Sequence, residues 1–476
     1  MKREFRNRAA AVLAALTIAA APAWAQHEHH QMPMPPAEPP APEAPAKEPA
    51  KEPAKAPEDH SGHDMQGMEG MDHSKKDHSE QGGHEMHALY GPYPMTREAS
   101  GTAWQPDSAP HEGLHRMEGE WSLMTHGYVM GVYSDQGGPR GDSKTFSENM
   151  WMGMANRPLG PGRLGLRAML SAEPWTVGKE GYPLLLQTGE TANGVDPLVD
   201  RQHPHDLFME LAGTYSVPVG TDGSAFVYLG LPGEPALGPP AFMHRFSGLE
   251  NPEAPLSHHW LDSTHITFGV ATLGWVRGPL KVEGSVFTGR EPDEKRTDIE
   301  SPKMDSWSTR VSFNPTENWA LQASYGHLNS PEQLDPDTDT DRATLSAIYN
   351  RPLADGNWQT TFAWGRNMRD PGTSTDAWLV ESAATHGRHT LFGRAERLEN
   401  DELFGHGEGH LDETGHAGEV FNVGKVSLGY LYDAIVTDTW RTGVGLVGSV
   451  ALIPSEIQDD YGDRPVSWMG FLRVRV

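Results

Sequence analysis

The 476-residue chain contains no cysteine. That excludes disulfides, thiolate metal sites, iron–sulfur clusters and a cysteine nucleophile. It also excludes a lipid anchor on a cleavage-site cysteine. Beyond the first residues there is no apolar run approaching the roughly 20 residues a membrane helix needs. This absence does not exclude a transmembrane barrel, whose strands alternate lipid-facing apolar residues with polar lumenal ones. Basic charge is scarce: 38 Lys and Arg stand against 65 Asp and Glu, for a net charge of -27. A surface of that sign is wrong for nucleic acid and suits cations. No Gly-rich phosphate loop, His-Glu-x-x-His motif or Gly-x-Ser-x-Gly elbow is present, so no enzyme is expected.

What is present falls into four segments of different composition. Residues 1–25 read as a signal peptide, with Lys2, Arg3, Arg6 and Arg8 before the apolar run 9–21 and Ala23-Trp24-Ala25 as the cleavage site. Residues 26–90 are rich in Pro, Glu, Lys, Gly and His and almost devoid of core-forming side chains, so a disordered tail is expected. Within it, 45–55 repeats Pro-Ala-Lys-Glu, a polyproline spacer rising about 3.1 Å per residue. Residues 91–120 read as a linker. From 121 to 476, segments of about ten residues alternate apolar and polar between Gly, Pro, Asn and Asp clusters.

Sixteen strands are expected, near 121–133, 145–156, 162–173, 207–217, 224–231, 263–276, 279–289, 304–314, 317–327, 341–350, 357–367, 375–386, 388–398, 420–434, 438–452 and 465–476. Their connections alternate in length. Long loops at 134–144, 174–206, 232–262, 290–303, 328–340, 368–374, 399–419 and 453–464 are separated by turns as short as Arg277-Gly278 and Gly387. That alternation is what outer-membrane barrels show, with long loops outside the cell and short turns in the periplasm. The last strand alternates Trp468, Gly470, Leu472, Val474 and Val476 with Met469, Phe471, Arg473 and Arg475. Two Arg on one face suit a polar lumen. The expected fold is therefore all-β: an antiparallel transmembrane barrel of about 16 strands in the outer membrane of a Gram-negative bacterium, with its tail in the periplasm.

The tail carries the strongest chemical signal: His27, His29, His30, Met32, Met34, His60, His63, Met65, Met68, Met71, His73, His78, His84, Met86 and His87. Thioether and imidazole together suit copper, since soft sulfur favours Cu(I) and imidazole accepts either oxidation state. A solvated tail without a ligand would have no packing use for its methionines. A second group ends two long loops: His203, His205 and Asp206, then His258, His259, Asp262 and His265. Both approach the expected extracellular rim. There they can ligate a divalent ion, form an acid–base pair or simply pin loops through hydrogen bonds. Met150, Met152 and Met154 share one strand face. Turned to the lumen they form a row of soft ligands; turned to lipid they are apolar cover. Trp151 on the other face suits lipid.

The signal peptide, the tail with Gly67-Met68-Glu69-Gly70-Met71-Asp72-His73-Ser74 and the barrel together resemble copper resistance protein B, an outer-membrane family of copper-tolerance systems. The stretch from Pro197-Leu198-Val199-Asp200 through Arg201-Gln202-His203-Pro204-His205-Asp206 looks like a group of poorly characterised proteobacterial outer-membrane proteins. The resemblance implies periplasmic copper sequestration or assisted export, with tail His and Met as ligands and copper as the only cofactor. The implied partners are copper ions, outer-membrane lipid and other periplasmic copper-tolerance proteins. Two other readings stay open: a general porin or solute channel with an incidental tail, and an outer-membrane enzyme using the loop histidines.

Overall fold

The computed structural model describes residues 88–110, 112–405, 416 and 418–476. Val, Leu, Thr, Trp and Tyr at alternate positions favour extended chain, and glycines with positive φ at short turns, such as Gly160, Gly220, Gly278 and Gly387, reverse it. The strands run in chain order as β1 (Leu114–Glu118), β2 (Trp121–Asp135), β3 (Ser143–Leu159), β4 (Gly162–Leu170), β5 (Tyr182–Thr191), β6 (Pro197–Gln202), β7 (Phe208–Val219), β8 (Gly223–Gly230), β9 (Val270–Arg277) and β10 (Leu280–Phe287). They continue as β11 (Ser306–Thr316), β12 (Trp319–Leu328), β13 (Asp339–Leu353), β14 (Gly356–Asp370), β15 (Ser374–His386), β16 (His389–Asn400), β17 (Phe421–Val436), β18 (Arg441–Leu452) and β19 (Val466–Arg475).

Sixteen of these close an antiparallel barrel, each paired with the next, with β4 pairing directly to β7. Closure is made by β19 on β2, from Trp468 opposite Asp135 to Arg475 opposite Tyr128. A closed sheet leaves no edge unpaired, the condition for a strand structure to cross lipid. The short strand β1 folds back on the start of β2, and β5 with β6 forms a separate hairpin.

The two faces of the wall differ in chemistry. On β13, Thr340, Arg342, Thr344, Ser346 and Asn350 are buried inward, while Leu345 is half exposed on the outside. Leu229, Leu273, Val311, Phe362, Val380, Leu446 and Leu472 extend this apolar exterior around the barrel. Near the short turns, Trp319, Tyr349 and Trp358 pack at tilted and edge-to-face angles in an aromatic band. An apolar belt flanked by aromatics is the exterior of a membrane-spanning barrel.

The lumen is filled rather than open, and here the expectations from sequence need correcting. Two connections expected to lie outside turn inward. Residues 231–269 leave β8 and cross to the opposite wall, where Arg245 pairs with Glu381 at 2.6 Å, Lys425 with Glu253 at 2.8 Å and Arg475 with Glu250 at 2.7 Å. The hairpin β5–β6 packs inside as well, with Leu184, Leu185 and Leu186 fully buried. The strand expected from 263 begins only at Val270; residues 263–265 form a buried 3-10 turn within the inward loop. Of residues 91–120, expected as a linker, 91–110 are packed into the barrel, while β1 pairs with the start of β2 and stays exposed. Tyr90 and Trp104 are buried, Arg310 donates to the Thr102 hydroxyl at 2.9 Å, and Asn350 donates to the Ser108 carbonyl at 2.6 Å. Aromatic anchors and polar lumen walls hold this segment across the mouth ringed by the short turns.

Candidate functional site

Three elements deliver histidines to one place in the lumen. His203 and His205 follow β6, His258 and His259 sit on a one-turn helix (His258–Leu261), and His265 ends the next turn. All five are buried. Neighbouring rings stand 5.1 Å apart for His258 and His265, 5.4 Å for His205 and His265, 5.4 Å for His258 and His259, and 5.8 Å for His203 and His259. Phe242 packs its ring against His205, His258 and His265 from the inward loop. The expected position at the extracellular rim is therefore corrected: the loops fold in, and the histidines lie inside the barrel.

Each imidazole has its Nδ1 directed at an acceptor. For His205 it is Glu173 at 2.9 Å, for His258 Asp262 at 2.8 Å, for His265 the Asp262 carbonyl at 2.8 Å, and for His203 the Pro204 carbonyl at 3.3 Å. His259 Nδ1 faces Glu291 at 3.4 Å. An N–H donated from Nδ1 leaves the lone pair on Nε2, the arrangement in which imidazoles ligate metals with a carboxylate or carbonyl behind them. The Nε2 atoms of His203, His205, His259 and His265 are buried without a hydrogen-bond partner among the described residues.

Electrostatics divides the group. Burial, and then neighbouring imidazoles, hold His203 and His265 well below the ordinary histidine range. Burial also lowers His258 despite Asp262 beside it. His259 is the exception: burial opposes its charge, but the Glu291 carboxylate carries it up to about 9. Burial and the neighbouring Glu291 and Glu402 push Glu332 up to about 8. One ligand atom from each of His259, Glu291 and Glu332 lies within 4.8 Å of the other two, a spacing that can hold a divalent ion.

The two expected aspartates do different work. Asp262 bridges His258 and Arg245, the latter at 2.9 Å. Asp206 pairs with Arg296 at 3.2 Å, and Arg296 also pairs with Glu190. Close approach is needed at Gly189, where an added Cβ would stand 2.5 Å from His259 Nε2. Glu173, Glu190, Glu291, Glu332 and Phe242 were not marked by any local pattern in the sequence.

The tail residues His27, His29, His30, Met32, Met34, His60, His63, Met65, Met68, Met71, His73, His78, His84, Met86 and His87 lie outside the described residues. Met150 and Met152 turn to the lumen and are buried, while Trp151 is half exposed on the outer face.

No family model and no curated protein matches the chain. Among solved structures, it is similar to Salmonella typhi OmpF in complex with daunomycin, at 10% identity over 76% of this chain and 100% of that one, TM-score 0.46. It is likewise similar to the anion-selective porin from Comamonas acidovorans, at 12% identity over 75% and 100%, TM-score 0.45. A loop-deletion mutant of OmpT, an outer membrane protein of Vibrio cholerae, gives 9% identity over 75% and 100%, TM-score 0.44.

Proposed function

We propose that this outer-membrane barrel binds transition-metal ions inside its lumen, and that it sequesters periplasmic copper or assists its export without catalysing a reaction. The observation that carries this reading is the buried group of His203, His205, His258 and His265, each with Nδ1 directed at an acceptor, and with the Nε2 atoms of His203, His205 and His265 unpartnered among the described residues. Neutral imidazole is a ligand for copper, zinc and nickel, and the Met content of the tail selects copper among them. Residue 88 joins the barrel near the turn between β7 and β8, where the Leu89 carbonyl accepts from Ser216. In outer-membrane barrels the short turns face the periplasm, so the tail would gather copper there.

The test is titration of the purified full-length protein in detergent with Cu(II) and Zn(II). The reading expects H258A/H265A to lose at least one tight Cu(II) equivalent that the parent retains. An unchanged isotherm overturns it. A second reading, a solute channel, is supported by the closed 16-strand wall and its charged lumen. Planar-bilayer conductance separates the two. Large currents indifferent to copper would favour the channel; small currents that fall on adding Cu(II) would favour metal binding.

A further inference from the structure

A second set of ligand side chains lies elsewhere in the lumen and contains no carboxylate. Three come from adjacent strands in register: His126 on β2 stands opposite Met152 on β3, which stands opposite Met169 on β4. The fourth, His244, arrives from the inward loop. His126 Nε2 lies 3.1 Å from Met152 Sδ, His244 Nε2 lies 3.4 Å from Met169 Sδ, and the two imidazole rings are 5.9 Å apart. Beside them is a cavity of about 120 Å³ lined by Met124, His126, Met150, Met152, Met243 and His244 among others. Its far wall is the inserted N-terminal segment, through Glu98 and Gln105, at the mouth ringed by the short turns.

We propose that His126, Met152, Met169 and His244 form an N2S2 site for a soft monovalent cation, Cu(I) or Ag(I). The spacing fits. Metal–nitrogen and metal–sulfur bonds of about 2.0 and 2.3 Å at a tetrahedral angle set N and S about 3.5 Å apart. The two pairs stand at 3.1 and 3.4 Å before any adjustment. The donor set selects the ion by chemistry. Thioethers are soft ligands that hard Ca2+ and Mg2+ refuse, since those ions take oxygen. With no anion among the four donors, a divalent ion would be poorly neutralised in a buried place, whereas a monovalent one has less to lose on leaving water. Without an ion each pair is an N–H···S hydrogen bond; with one, the imidazole lone pair and the sulfur turn to the same cation. The site is independent of the five-imidazole chamber, and either can fail without the other.

The experiment uses the full-length protein in detergent, titrated with Ag(I), a redox-inert probe, against a chromogenic chelator, and with Cu(I) under anaerobic reductant. The test variant is M152L/M169L, which keeps side-chain volume. The expected result is loss of one tight Ag(I) equivalent, at least tenfold weaker, with Cu(II) binding at the imidazole chamber unchanged. Superimposable Ag(I) isotherms for parent and variant overturn the proposal. If the variant fails to show the heat-modifiable gel mobility of a folded barrel, crystals of the parent soaked in Ag(I) decide instead. An anomalous peak between Met152 and Met169 sustains the site, and no peak there overturns it.

Discussion

The wall of the barrel and the material inside it are held by different forces. Along the wall each strand meets its sequence neighbour, and backbone pairing with alternating side chains specifies the register. The inward loop 231–269 has only three- and four-residue helical turns and no sheet beyond an isolated bridge from Gly233 to Thr267. Charges far apart in sequence hold it: Arg245 to Glu381, Glu250 to Arg473 and Arg475, and Glu253 to Lys425. A periodic wall makes the container, and singular long-range pairs decide what the container holds. The imidazole chamber and His244 depend on the second kind of contact, whereas His126, Met152 and Met169 are placed by the register of the wall.

The comparison breaks most visibly at Arg245, fully buried between Asp262 and Glu381. Arg245→Met leaves two carboxylates short of a partner, at a cost on the order of 3–5 kcal/mol. Arg394, 3.0 Å from Glu381, keeps the loss toward the low end. The expected outcome is a barrel still resistant to denaturation in its wall but with a loosened loop. Conductance should rise and Cu(II) binding should weaken together. A variant with parental conductance would show that backbone packing, not charge, seats the loop.

The wall itself is tested at Leu273, 70% exposed in the middle of β9. Leu273→Arg puts a charge into lipid at a cost of about 2–4 kcal/mol near the midplane. Urea unfolding from lipid vesicles should show that loss while Cu(II) affinity stays parental, because nothing in the lumen changes. A parental unfolding curve would place Leu273 outside the apolar belt.

The same division explains what could be read from sequence. The 16 barrel strands and their alternating connections were legible because period-two patterning repeats wherever one face meets lipid. Arg473 and Arg475 on one face of the last strand already pointed to a polar lumen. The grouping of His203, His205, His258, His259 and His265 was half legible, since the histidines cluster in sequence, but their inward position was not. It depends on Arg245 finding Glu381, a pair no local pattern announces. Glu173 and Glu291 behind the imidazoles, and His244 beside the methionine row, were hidden for the same reason, whereas Met169 follows from the β3–β4 register. Residues 91–120 read as a linker and 88–90 as the end of the tail; only Tyr90, Tyr93 and Trp104 betray the docking of this segment.

The smallest effect is the response to pH, and it isolates the filling from the wall. His203, His258 and His265 have folded values below the ordinary 6.5. As pH falls below about 6.5 the unfolded chain takes up protons that the folded chain refuses. Stability is therefore complete above that value and declines on the acid side, by about 1.4 kcal/mol per pH unit for each such group. His259 acts oppositely: raised to about 9, it contributes stability that is present below 6.5 and lost as pH rises through 9. Glu332, raised to about 8, acts in the same direction as His259; with three groups against two, the midpoint of heat-modifiable gel mobility should peak near neutral pH and fall more steeply toward acid than toward base. The double variant His203→Gln, His265→Gln should flatten the acid limb, while Leu273→Arg should lower the whole curve without changing its shape. An acid limb as steep in the double variant as in the parent would trace the loss to carboxylates of the lumen ion pairs, with His203 and His265 spectators of acid unfolding.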